Sequence, residues 1–448
     1  MPMARRYGRC LLALIYTMAL LSGCFNSPLP GEDSQESPSA SPAETGQMSG
    51  PKIELMVFQY NPELKDAYQK VVRSFSESYQ EINLTVESLE AGKDYRQELK
   101  ARFSAGNMPD VFNIGSPQDI ITYKDILLDL SSTAAAQFVI DGLNRDMTVE
   151  GTVYGLPYCL EGYGLVYNTE MFEKAQIDVK TIDSFQALEI AVKKLDDQKK
   201  DLGIDAVFAF AAKEYVETGL YLSNLFISPE FEGDAFKTYY AKSIAFKYGE
   251  SFKKMVDLFN QYSVQPAYEI DYKKQIEELF IEEKVAMIQQ GSWVAKTFEN
   301  LDKDILQKVG FMPFPVEGYM EDANPIGVPM YWAVNKERPW EVQKAAQDFI
   351  NWLYLTEDGQ DAIADTLKFI PPYKGFAADS VSDPLSKYIL YQVSSQKRIN
   401  WIFDAYPEDW GLLTLGPGIS AYIQGKLSWD ALLANARQDW EQKRNQQQ

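Results

Sequence analysis

Trp293 follows Gln289-Gln290-Gly291-Ser292, a polar, glycine-containing exit from the apolar run Val285 to Ile288, where a core tryptophan would be poorly buried. A rigid indole face suits the apolar C–H side of a sugar ring, and nearby acceptors suit its hydroxyls. All eight tryptophans lie at or after position 293, so the second half of the chain supplies every indole surface. Trp340, Trp352, Trp429 and Trp440 fall on helical stripes or surfaces and are expected to pack, while Trp401 and Trp410 stay undecided. Other polar candidates occupy loops that follow predicted strands, where open α/β sheets bind ligands. They are Gln59, Tyr60 and Asn61 after Ile53 to Phe58, and Ser116, Gln118 and Asp119 after Val111 to Ile114. Asn61 and Ser116 would serve equally well as helix caps. Alternation along Val328 to Val334 puts Tyr331 and Trp332 on opposite faces, so at most one of them, Tyr331 being the candidate, sees a cleft.

The 448 residues contain no histidine, which removes Ser-His and Cys-His nucleophile pairs, imidazole metal ligands and histidine acid–base roles. Of three cysteines, Cys10 and Cys24 lie near the amino terminus, leaving Cys159 unable to form an intramolecular disulfide or a thiolate metal site in the body. A glycosidase needs only two carboxylates, but no Asp/Glu pair is marked by its setting as acid and nucleophile. Many enzyme classes are thereby removed, and no cofactor or metal is expected.

Arg5, Arg6 and Arg9 precede an apolar run from Leu11 to Leu21, and Leu21-Ser22-Gly23-Cys24 closes it. This reads as an export signal over residues 1–23 ending at a lipid-acceptor cysteine, Cys24, with an ordinary signal peptide and a chance cysteine as the alternative. The run is shorter than the roughly 20 residues that span a bilayer. Residues 24–51 are rich in Ser, Pro, Gly and acids, and form a tether of roughly 25 to 30 Å reach. The expected location is the outer face of the cell membrane. Without residues 1–23, 40 basic side chains face 64 acidic ones, a balance that repels nucleic acid and anionic ligands and suits a neutral or cationic small molecule, as it also suits solubility.

The remaining body of about 400 residues exceeds one compact core, so two lobes are expected. Its amino-terminal part reads β-α-β-α-β: a strand at Ile53 to Phe58, a helix opened by Asn61-Pro62, a strand at Leu84 to Leu89, a helix from Asp94 to Ser104, and a strand at Val111 to Ile114. Helical patterns at 184–200, 250–262 and 272–284 alternate with strands at Val207 to Phe210 and Val285 to Ile288, giving a second α/β unit. Pro339 opens a strongly striped helix, and the tail from Ile419 to Trp440 is helical around a break at Gly425.

In their order, several stretches resemble the extracellular solute-binding proteins of family 1, the maltose-binding-protein-like receptors of carbohydrate-importing ABC transporters. They are Ala105 to Val111, Tyr154 to Tyr158, Glu161 to Asn168, Ala286 to Trp293, Val309 to Pro313 and the helix from Ala346 to Gly359. The resemblance implies a periplasmic-binding-protein type II fold, with two α/β lobes, each a mainly parallel sheet flanked by helices. Residues 52–160 with 312–370 would form the first lobe, and 161–311 with 371–448 the second, with hinge crossings near 155–168, 309–318 and 369–375. It also implies closure of the lobes around a neutral sugar or oligosaccharide, delivery to permease subunits, and a monomer without enzymatic activity. A sensor that hands its liganded form to a signalling receptor, or a non-sugar solute, is the alternative.

Carried over by position, Glu161 matches a hinge-proximal glutamate that accepts sugar hydroxyls, and Trp293 a stacking tryptophan. Glu214 and Tyr215 lie where the family places a carboxylate and a tyrosine on ligand, and Trp410 falls within a couple of positions of another stacking tryptophan. Tyr163, beside Glu161, is a further candidate that could instead pack in the hinge. Where the maltose-binding pattern has a tryptophan after Pro109-Asp110-Val111, this chain has Asn113-Ile114-Gly115-Ser116, which argues against maltose itself.

Overall fold

The computed structural model describes residues 51–447 apart from 303 and 378, so the proposed leader, Cys24 and the tether up to residue 50 lie outside the described residues. The first half of the chain carries strands β1 (Ile53–Gln59), β2 (Ile82–Ser88), β3 (Val111–Ile114), β4 (Thr148–Val149), β5 (Thr152–Val153), β6 (Leu156–Pro157), β7 (Glu161–Asn168) and β8 (Ala206–Phe208). The second carries β9 (Val285–Gly291), β10 (Val309–Met312), β11 (Asn324–Gly327), β12 (Tyr331–Val334) and β13 (Arg398–Ile399).

Two sheets organise the two lobes. The first runs β2-β1-β3-β12-β6, with β1 parallel to β2 and β3, and β12 antiparallel to both of its neighbours. The second runs β13-β11-β7-β9-β8, and β10 shares with β11 one edge of β7. The parallel pairs follow from the helical crossovers between their strands. After β1, the Asn61 side chain accepts from the Glu63 amide, Pro62 takes the first helical position, and the helix Lys65–Ser78 buries Tyr68, Val71 and Phe75. Those three positions recur at helical spacing, which is why the periodicity was readable in the sequence. Ser184, Asp383 and Ser428 cap the helices Phe185–Asp197, Pro384–Ser394 and Trp429–Gln446 in the same way.

The chain passes between the sheets first at Tyr158-Cys159-Leu160, all three buried, between β6 and β7. Tyrosine hydroxyls hold this passage: Tyr354 donates to the Tyr158 carbonyl at 2.7 Å, Tyr373 to the Pro157 carbonyl at 2.9 Å, and Tyr68 to the Tyr158 hydroxyl at 2.8 Å. The return passage lies between Gly327 at the end of β11 and Tyr331 at the start of β12. It therefore falls later than the expected crossing at 309–318, because β10 and β11 both pair with β7 in the second sheet. A third passage leaves from Ile370, whose carbonyl accepts from the Leu160 amide, and leads to the helix Pro384–Ser394 beside β7, β10 and β11. Among the described residues, no helix is long and apolar enough to cross a membrane.

Candidate functional site

The loops after β1, β6 and β9 converge where the lobes meet. Trp293 directly follows the exit from β9 and precedes the helix Val294–Leu301. Its ring lies 5.2 Å from Tyr221 and 6.4 Å from Tyr163, and Tyr163 in turn donates its hydroxyl to the Tyr221 carbonyl at 2.7 Å. The strand must have glycine at 291, since a Cβ there would overlap the Trp293 ring. Gly327 does the same for Trp401, whose ring a Cβ would meet at 2.5 Å. Trp401 sits 5.8 Å from Tyr163 and 5.1 Å from Phe403, extending the aromatic wall.

Opposite this wall, Tyr60 of the first lobe packs edge-on against Tyr158 and Tyr95. Its backbone amide donates to the Asn113 side-chain oxygen at 3.1 Å. Glu161, the first residue of β7, lies between the lobes, and among the described residues its carboxylate has no hydrogen bond or ion pair. Burial raises it from the ordinary carboxylate range to about 7. Its charge is felt by Tyr60 from one lobe and Tyr221 from the other. Asn61, Glu161, Ser292, Trp293 and Phe369 line a cleft of about 500 Å³.

A second, smaller pocket of about 30 Å³ lies among Pro117, Asp146, Tyr331, Trp401 and Asp404. Burial raises Asp146 to about 7 and also raises Asp404, whose carboxylate pairs with Arg96 at 3.0 Å. That pair links the lobes, as do the Tyr239 hydroxyl donating to Gln118 at 2.6 Å, Arg145 donating to the Gly233 carbonyl, and Arg398 donating to the Asp141 carbonyl at 2.8 Å.

Of the residues singled out in the sequence, Asn61, Glu161 and Trp293 line the larger cleft, Tyr60 lies near enough to feel the Glu161 charge, and Tyr331 lines the smaller pocket. The others do different work. Gln59 is buried, and its side chain ties Asn61 and Ser88 together. Ser116 and Asp119 form a reciprocal capping box: the serine hydroxyl accepts from the Asp119 amide, and the aspartate accepts from the Ser116 and Gly115 amides. Tyr163 is fully buried under the Trp293–Tyr221 pair and supports the wall without reaching its surface. Glu214 accepts from the Tyr272 amide at 3.0 Å, and Tyr215 is 39% exposed beside Gly416; neither lines either pocket. Trp410 is 0% exposed, donates its indole N–H to the Ala436 carbonyl at 2.8 Å and packs edge-on against Trp440, so it is core and not a stacking surface. Trp340, by contrast, projects into solvent rather than packing.

Sequence reasoning missed Tyr221, Asp404 and Arg96. The run Trp401-Ile402-Phe403-Asp404, two aromatics and an acid, was the signal for Asp404. Tyr221 had none, since it lies on a π-helical segment, Glu217–Leu222, whose spacing departs from the ordinary helical period.

Burial that raises Glu161 makes the folded state bind a proton that the unfolded state releases, so stability is lost as pH rises from about 4.5 to about 7. Glu161→Gln should therefore melt higher than the parent in mildly alkaline buffer and at the same temperature in acid. Equal melting of the two proteins in alkaline buffer would contradict the burial of this carboxylate.

Two α/β lobes joined by three passages, with an aromatic-walled cleft and a lone carboxylate between them, define a ligand-binding protein. Residues 70–390 match the family model described as bacterial extracellular solute-binding protein, and the chain belongs to that family of binding proteins rather than enzymes. The melibiose/raffinose/stachyose-binding protein MelE of Bacillus subtilis (strain 168) is 24% identical over 298 residues, covering 64% of this chain and 67% of MelE. Among solved structures, apo RafE from Streptococcus pneumoniae superposes with a TM-score of 0.73 at 19% identity, covering 89% of this chain and 100% of RafE. A chitin oligosaccharide binding protein gives 0.66 at 20% identity, covering 89% of this chain and 100% of its own.

Proposed function

We propose that this protein captures a neutral oligosaccharide between its lobes and surrenders it to an ABC-type permease. The observation that carries this reading is Glu161, a partly buried carboxylate that among the described residues has no hydrogen bond or ion pair and that lines the larger cleft together with Trp293. Trp293 covers a sugar ring, and Glu161 accepts its hydroxyls. A site that buries an acceptor in this way rejects analogues lacking the matching hydroxyl, because the carboxylate would then stay unpaired. The names of its relatives, binders of melibiose, raffinose, stachyose and chitin oligosaccharides, support a saccharide of this class. Cys24 carries the lipid that holds the protein at the outer face of the membrane.

Titration of the intrinsic tryptophan fluorescence with melibiose, raffinose and chitin oligosaccharides tests the assignment. Saturable quenching or enhancement by at least one is expected, without release of reducing ends on prolonged incubation. A flat response to all of them, with saturation by peptides or polyamines instead, would discard the saccharide reading. Incorporation of labelled palmitate that survives Cys24→Ser would discard the anchor.

A further inference from the structure

Beneath the Trp293 face lies a buried polar cluster. The Trp293 indole N–H donates to Gln290 Oε1 at 2.9 Å. The Nε2 of Gln290 donates in turn to Glu217 Oε1 at 3.1 Å and to Gln275 Oε1 at 2.8 Å. Gln289 Nε2 donates to the other Glu217 oxygen at 3.2 Å and to the Glu217 carbonyl at 3.0 Å, and Gln275 Nε2 donates to the Ala209 carbonyl at 2.7 Å. Glu217, Gln275, Gln289 and Gln290 are all buried. The Glu217 and Gln275 oxygens on one side of the Gln290 amide leave only its oxygen to face the indole, which decides the way that amide points. Glu217 also stands one turn before Tyr221, the ring 5.2 Å from Trp293.

We propose that Glu217 is a positioning residue for the ligand face: through Gln290 it fixes the orientation of Trp293, and through its own helical segment it fixes Tyr221. The inference rests on the reading that Trp293 covers the ligand. A carboxylate is suited to the task because both oxygens accept, so one side chain satisfies two amide donors at once. A glutamine at 217 would bring a donor of its own, and Gln289 Oε1, buried without a partner, is the acceptor that a rotated Gln289 amide would turn toward it. The protonated acid resembles that glutamine.

Burial raises Glu217 to about 8, with Glu214 adding in the same direction and the Gln290 and Gln289 donors opposing it. The other titratable groups facing it are Tyr163, Tyr221 and Tyr272, each of which feels its charge. None of the named perturbers is a cation. The platform should therefore pass from a protonated to an ionised support as pH rises through about 8.

The test uses the full chain and isolates Trp293 emission as the difference between the parent and Trp293→Phe. In ligand-free protein this emission should change across a transition centred near pH 8, and the transition should vanish in Glu217→Gln. Glu217→Ala should shift the Trp293 emission toward that of a wetter indole and weaken raffinose binding by about tenfold, while Glu217→Gln in neutral buffer stays within about twofold of the parent. Retention of the transition in Glu217→Gln, or unchanged Trp293 emission in Glu217→Ala, would overturn the inference. Should the alanine variant fail to fold, the pH profile of the glutamine variant decides alone. If Trp293 emission follows Glu217 while neither raffinose nor melibiose binds the parent, the positioning role stands and the saccharide reading is what fails.

Discussion

Trp410→Ala is expected to lower the free energy of unfolding by about 3–5 kcal/mol, the range for truncating a large buried aromatic side chain. Trp410 has no exposed surface, lies 4.8 Å from Trp440 and 5.3 Å from Tyr406, and spends its indole N–H on the Ala436 carbonyl. Truncation removes these contacts together, including the indole hydrogen bond to the last helix. Saccharide affinity of the folded fraction should stay within about twofold, since nothing on Trp410 faces either pocket. Urea unfolding followed by circular dichroism measures the first quantity and isothermal calorimetry the second. A variant of parental stability with a large loss of affinity would return Trp410 to the ligand site and refute its place in the core.

Trp293→Ala should give the opposite pattern. Truncating a tryptophan that anchors an interface costs at least about 2 kcal/mol, which is about 30-fold in affinity, and the loss of the Gln290 contact adds to it. Stability should change far less than in Trp410→Ala, because the Trp293 ring is only partly buried and lines the open cleft. Calorimetry with whichever saccharide saturates the parent gives the affinity, and thermal melting gives the stability. Unchanged affinity would remove the aromatic face from the binding mechanism and leave Glu161 as its only support.

The two tryptophans show what was legible in the sequence. Trp293 could be read because a strand exit of polar residues and glycine contradicts burial. Trp410 could not, because Pro407-Glu408-Asp409 before it and Gly411 after it look like a polar loop, while the helix Trp429–Gln446 that covers it lies far along the chain. Strands and helices of the amino-terminal lobe were readable from their periods, since each buries one regular face. Ser116 and Asp119 carried a capping signature that is indistinguishable in sequence from a pair of ligand acceptors; only the reciprocal bonds decide. The return passage was misplaced for a related reason. Pairing of β10 and β11 along one edge of β7 is a long-range contact, and the Pro and Gly residues near 313–318 mark a bend within one lobe rather than a change of lobe. Tyr221 and Glu217 were hidden because the π-helical turn shifts them off the ordinary helical face.

Among the described residues the bonds that join the lobes away from the hinge are few, and the Arg96–Asp404 pair keeps its guanidinium about half in water. Links of this kind contribute roughly 0–1 kcal/mol each and weaken with salt. A clasp so light reopens nearly as readily as it shuts, so dwell time on the cargo is governed by the cargo's own contacts. Raising ionic strength should then shorten the residence of weak and well-fitted guests by the same small factor, leaving discrimination between them to their own contacts in the cleft.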